Sequence, residues 1–224
     1  MFGWLKLSEN CNFSFKHYEE CLNDALGRGY KFLKFNEINE AEKYDKVIFM
    51  RHDVDMNVDH ALKFAAIENK HGISSTFFIR VCGKYNAWNI NTFYSLMKML
   101  SMGHEIGLHY EPDFSVINGR NLAEDIVFHK LMLEKLLKIE IKSICPHEPK
   151  KTNSLHLPHE INKELGNMLH AYDDFFFNEC KYISDSSSRW REGCMHEFIE
   201  RETKKLCILT HPIWWFDKSP IENY

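Results

Sequence analysis

The chain lacks any uninterrupted apolar run of the roughly 18 to 20 residues that a membrane-spanning helix needs, so no membrane span is expected. Its opening, Met1-Phe2-Gly3-Trp4-Leu5-Lys6, lacks the layout of a signal peptide, which makes the cytoplasm the expected location. The seven cysteines, Cys11, Cys21, Cys82, Cys145, Cys180, Cys194 and Cys207, include no CxxC pair. Their odd number and scatter suit reduced core thiols and argue against a cysteine-rich zinc site. Lysine and arginine form no basic stripe and the net charge is -4, so a nucleic-acid partner has no electrostatic support. A small-molecule or glycan substrate is the expected partner. There is no low-complexity segment and no sign of oligomeric state.

The 224 residues suffice for one domain with a full core, with residues 1–45 as a lead-in. Within the lead-in, Phe15, Tyr18, Leu22 and Leu26 recur at helical spacing before Gly27 and Gly29, and residues 30–35 alternate like a short edge strand. The chain is organised around the next stretch, Val47-Ile48-Phe49-Met50-Arg51-His52-Asp53-Val54-Asp55. Four apolar residues running into a polar cluster predict a buried parallel strand that empties into a site. Asp53 and Asp55 are two positions apart, so on an extended backbone their carboxylates leave on one side. Their mutual repulsion calls for a cation, a proton or water. The competing reading is a solvated turn in which Asp55 or Asn57 caps the following helix.

Strands and helices then alternate. Helices are predicted over 59–71, 91–102, 122–138 and 158–166, and strands over 75–80, 105–110, 141–145, 168–172, 181–184 and 206–210. Such alternation predicts a parallel α/β sheet rolled into a barrel, with the site at the carboxyl ends of the strands. Those ends read Asp53 and Asp55, Arg80, His109 and Glu111, His147, Asp173, Asp185 and His211. Turn chemistry alone would favour Gly, Asn and Ser there.

Over roughly residues 46–215 these residues resemble the polysaccharide deacetylase family of carbohydrate esterases (the NodB-homology type), in the branch whose first motif is RHDVD. The likeness is carried by Arg51-His52-Asp53-Val54-Asp55, Ser75-Thr76-Phe77-Phe78, Gly103-His104-Glu105-Ile106-Gly107-Leu108-His109 and Leu209-Thr210-His211-Pro212-Ile213-Trp214-Trp215. The resemblance implies a distorted (β/α)7-8 barrel and a metal-dependent hydrolase that removes an acyl group from an N-acetylated sugar. It implies Asp53 as catalytic base, His211 as general acid, and Asp55 and His109 as metal ligands. The family's second metal histidine, four residues after the first, is replaced by Asp113. The third ligand is then Asp113, Glu111 or His147, with His147 preferred because imidazole and carboxylate together make a standard zinc shell, and Glu111 second.

The family's arginine-containing third motif is replaced by Cys145-Pro146-His147-Glu148-Pro149, while residues 182–191 resemble the branch's fourth motif. Asp185 and Arg189 are expected to orient the base or grip an anionic substrate. Arg80, Trp190 and Trp214 are further candidates for substrate contact, the tryptophans by stacking on a sugar, unless they and Trp215 simply pack in the core. Zinc is the expected cofactor, and cobalt, nickel and manganese suit the same ligands. A soluble nucleotide-linked or lipid-linked precursor of a surface polysaccharide is the expected substrate. The alternatives are cyclic amide or imide hydrolysis at the same metal, and a non-catalytic sugar-binding domain.

Overall fold

The computed structural model describes residues 11–152, 155, 157, 159–166 and 168–219. The opening hexapeptide and Pro158, used above, lie outside them. In chain order the elements are α1 (Phe15–Gly27), β1 (Lys31–Leu33), β2 (Val47–Val54), α2 (Val58–Lys70), β3 (Thr76–Ile79), α3 (Ile90–Ser101), β4 (Glu105–Tyr110), α4 (Pro112–Asn118), α5 (Leu122–Leu137), β5 (Ser143–Pro146), α6 (Pro149–Thr152), α7 (His159–Glu164), β6 (Leu169–His170), β7 (Lys181–Ser184), α8 (Met195–Glu200) and β8 (Lys205–Thr210). Every strand pairing is parallel, in the order β6-β5-β4-β3-β2-β8-β7, with β1 added along the start of β2. No helix among the described residues is long and apolar enough to cross a membrane.

Period-two alternation divides the core into two layers. Val47 and Phe49 of β2 pack inside the curved sheet with Leu33, Phe35, Phe78 and Phe176. Ile48, Met50 and Val54 face outward into the layer that also holds Phe64, Leu96 and Leu133 of the helices. In α1 the expected apolar stripe holds for Phe15, Tyr18 and Leu22, but Leu26 is exposed and His17, Cys21 and Ala25 are buried in its stead.

The predicted barrel forms but stays open. Among the described residues no ladder joins β6 to β7, because β6 is only two residues long and offers too little backbone to pair on both edges. Aromatic rings span the gap: Tyr172 lies 5.5 Å from Phe177 and 5.9 Å from Tyr182, and Phe177 lies 5.1 Å from Tyr182. Phe176 stacks on Phe35 at 4.0 Å and plugs the interior below. All seven cysteines are free thiols.

Behind the sheet, a buried carboxylate fastens the strands that carry the site. Glu68 of α2 accepts from Tyr18 Oη, from Ser75 Oγ at 2.6 Å and from His52 Nε2 at 2.9 Å, while His52 Nδ1 meets Thr210 Oγ1 at 2.6 Å. Burial opposes charge on Glu68, but His52 and His104 outweigh it and hold its pKa below the usual range. Glu68→Ala leaves these partners unpaired, and an expected loss of about 3 kcal/mol should be read by urea denaturation.

Candidate active site

Continuing the alternation of β2, Arg51, Asp53 and Asp55 face the barrel interior. Asn57 resolves the helix-cap question, since its side chain accepts from the backbone N–H groups of Asp59 and His60 and leaves Asp55 free. Arg51 is fully buried. Its Nη2 donates to Asp53 Oδ2 at 3.0 Å and lies 3.3 Å from the Tyr172 hydroxyl and 3.1 Å from Cys145 Sγ, while Nη1 donates to the Ala171 carbonyl at 3.2 Å. Burial would push Asp53 up, but Arg51, then His109 and His211, hold its pKa below the ordinary value. Its second oxygen, Oδ1, is buried without a hydrogen-bond partner.

Three side chains converge on Asp55. His109 enters from β4, where Gly107 is required: a Cβ there would stand 2.6 Å from the Phe78 ring and 2.7 Å from Ser143 Oγ. His109 Nε2 lies 3.3 Å, and His147 Nε2 3.7 Å, from Asp55 Oδ1, a buried oxygen with no hydrogen-bond partner. Each ring is held from behind, His109 Nδ1 by the Cys145 carbonyl at 2.9 Å and His147 Nδ1 by Glu111 Oε2 at 3.0 Å. With Nδ1 donating, each ring presents its Nε2 lone pair when it is neutral, the form that binds a metal. Burial opposes charge on His109, but Asp53, Cys145 and Asp55 push its pKa well up, the mark of a site that attracts a cation. One carboxylate oxygen and two oriented imidazoles fit a divalent ion.

The other two ligand candidates are engaged elsewhere. Glu111 bonds His147 with one oxygen and Arg80 Nε with the other, and Arg80 Nη1 donates to the Asp55 carbonyl at 3.2 Å. Asp113 sits on α4, a helix not expected from the sequence, and pairs with Lys151 at 2.7 Å. A different donor group, Asp53, His109 and Cys145, is the one at the rim whose ligand atoms all lie within 4.8 Å of one another. The Arg51 guanidinium already touches both Asp53 and Cys145, and a second cation there would be repelled.

Opposite the imidazole pair stands His211, its Nε2 4.0 Å from the other oxygen of Asp55. Asp185, fully buried, accepts from the His211 backbone N–H at 3.0 Å, from His211 Nδ1 at 2.6 Å and from Trp215 Nε1 at 2.8 Å. Burial opposes the charged ring, but Asp185, then Asp55 and Asp53, push the His211 pKa up to about 8.

A cleft of about 600 Å³ opens over Asp53, Asp55, His109, His147 and His211, with Trp214 in its wall. Several expected substrate contacts lie elsewhere. Arg80 is buried beneath Glu111, and Asp185 is buried behind His211, neither of them lining the cleft. Arg189 is exposed outside the cleft, which takes Arg191 in its place, and Trp190 turns its Nε1 to Cys11 Sγ at 3.3 Å. Trp215 is completely buried in the core. Sequence reasoning missed the roles of Arg51, Tyr172 and Cys145. For Arg51 the signal was there, since it shares the inward face of Asp53.

No protein-family model and no curated protein matches the sequence. Solved structures do. A mutant of the peptidoglycan deacetylase PdaC from Bacillus subtilis superposes with a TM-score of 0.52 at 14% identity, over 80% of this chain and 80% of that one. IcaB from Ammonifex degensii gives 0.50 at 16% identity, over 73% and 78% of the two chains. BA3943, a CE4 family pseudoenzyme from Bacillus anthracis, gives 0.48 at 14% identity, over 80% of this chain and 58% of that one. The all-parallel sheet and the superpositions on PdaC and IcaB together show that this chain shares the α/β fold of those two proteins.

Proposed function

We propose that the protein is a metal-dependent deacetylase that hydrolyses the acetamide of an N-acetylated sugar. The observation that carries this reading is the convergence of His109 Nε2 and His147 Nε2 on one buried oxygen of Asp55, with Asp53 and His211 at the same rim. Asp55, His109 and His147 would hold the ion, and zinc suits them best. A divalent ion there supplies Lewis acidity toward water and toward the acyl carbonyl.

The remaining work belongs to the chain. Arg51 keeps Asp53 ionised, so that its unpartnered Oδ1 can take the proton of the attacking water. Asp185 holds Nδ1 of His211, which leaves Nε2 to deliver a proton to the departing amine. Trp214, whose indole N–H is buried without a partner in the cleft wall, would pack on and bond to the sugar. Lys150 and Arg191 on the rim suit the phosphate of a nucleotide-linked or lipid-linked precursor in surface-polysaccharide assembly within the cytoplasm.

Acetate release from N-acetylglucosamine oligomers and nucleotide-linked N-acetyl sugars tests this directly. Release that stops with a chelator and returns with zinc is expected. Turnover of a cyclic imide alone, or glycan binding without any release, would replace the reading.

The pH profile follows from His211. As general acid it must carry its proton, so kcat/KM should fall as pH rises through about 8. Asp185→Asn removes the carboxylate that raises that pKa, and the alkaline limb should move down by about one unit, as measured in a pH–rate series.

A further inference from the structure

A second group of metal-binding side chains lies away from the rim. His17 and Cys21 are four residues apart on α1 and share one face. Cys194 and His196 come from the start of α8, which packs on α1. The donor atoms of these four residues lie within 4.8 Å of one another. His17 Nε2 is 3.4 Å from Cys194 Sγ and 3.6 Å from Cys21 Sγ. In a zinc tetrahedron with Zn–N and Zn–S bonds of ordinary length, the N···S edge is about 3.6 Å.

We propose that His17, Cys21, Cys194 and His196 form a structural zinc site that clips α1 to α8. Their exposures are 2%, 0%, 4% and 5%, so the site is closed to water, as four-ligand structural zinc is. None of the four lines the cleft. Nδ1 of His196 is buried with no hydrogen-bond partner, which an apolar core would not tolerate without cause. Glu20 Oε2, 4.0 Å from His17 Nδ1, stands on the side of the ring opposite the thiols, where carboxylates back metal-bound imidazoles. Cys11 borders the set through Cys194 and His17 but is not among the four residues whose donor atoms all lie within 4.8 Å, and its Sγ accepts from the Trp190 indole at 3.3 Å.

An ion here would close a loop between positions 17 and 194, a separation of 177 residues. It would anchor the first described helix to the segment just before β8, the strand that leads into His211. Binding requires both thiols to lose their protons, so occupancy should fall in acid.

The test uses the full chain loaded with cobalt(II). A near-ultraviolet thiolate-to-cobalt charge-transfer band is expected in wild type, in Cys11→Ser, and in a rim variant carrying Asp55→Ala and His109→Ala, which separates this site from the proposed catalytic one. The band should vanish in Cys21→Ser and Cys194→Ser. Should those variants fail to fold, the rim variant decides: titrating its thiols with a mercurial should release about one zinc equivalent to a chromogenic chelator. Removing the ion should lower Tm by roughly 10 °C. A missing thiolate band with no zinc release, a band that survives both cysteine variants, or a Cys21–Cys194 disulfide in the mass spectrum would each overturn the proposal.

Discussion

Asp53→Asn should lower kcat by about a thousandfold while leaving the bound metal in place. The asparagine keeps the shape of the carboxylate but cannot take a proton from water. It also leaves the Arg51 guanidinium, completely buried, without the carboxylate it donates to at 3.0 Å. Stranding a buried charge costs about 3 kcal/mol, so Tm should fall by roughly 10 °C in a chain of this size. Steady-state kinetics, metal analysis and a melting curve on one preparation separate the three effects. Metal loss with Asp53→Asn would move the ion to the set of Asp53, His109 and Cys145.

His147→Ala should weaken metal binding by more than about a hundredfold and abolish turnover with it. Its neighbours grade the effect. Glu111→Gln removes the charge behind the His147 ring without removing a ligand, and a loss of about 10- to 100-fold in affinity is expected. Asp113→Ala should bind metal as wild type does, since that carboxylate faces Lys151. Competition against a fluorescent zinc chelator measures all three. Equal losses for Glu111→Gln and His147→Ala would make Glu111 the ligand.

The centre of this molecule was legible because strand geometry is local. The run from Val47 to Asp55 announced both its burial and the side on which its carboxylates leave, and β2 has that burial throughout. The helix boundaries followed from caps such as Asn57 and from glycines such as Gly103, where φ is +89°. The roles of Arg80, Asp185, Arg189 and Trp190 were not legible in the same way. Arg80 and Asp185 sit where strands end, but the direction of each side chain is set by partners that follow other strands: Glu111 for Arg80, His211 and Trp215 for Asp185, while Arg189 and Trp190 lie in the loop beyond Ser184.

The relation between β4 and β5 shows the same limit. Sequence spacing placed Asp113 where a second histidine was expected, but α4 begins at Pro112 and carries it off to Lys151. His147 reaches the space from the neighbouring strand, since Tyr110 and Pro146 pair in register at the ends of β4 and β5. The cysteine and histidine group on α1 and α8 was hidden more deeply. Its halves have no spacing to read, because only the fold brings the two ends of the described chain together.

Anomalous diffraction from a zinc-loaded crystal is the measurement closest to the central claim. At the rim, separately from any peak between α1 and α8, one peak is expected within bonding distance of Asp55 Oδ1, His109 Nε2 and His147 Nε2, about 2.0–2.2 Å from each, with Glu111 outside its shell. A peak seated on Asp53 and Cys145 would contradict the account, as would a rim that stays empty with zinc in excess.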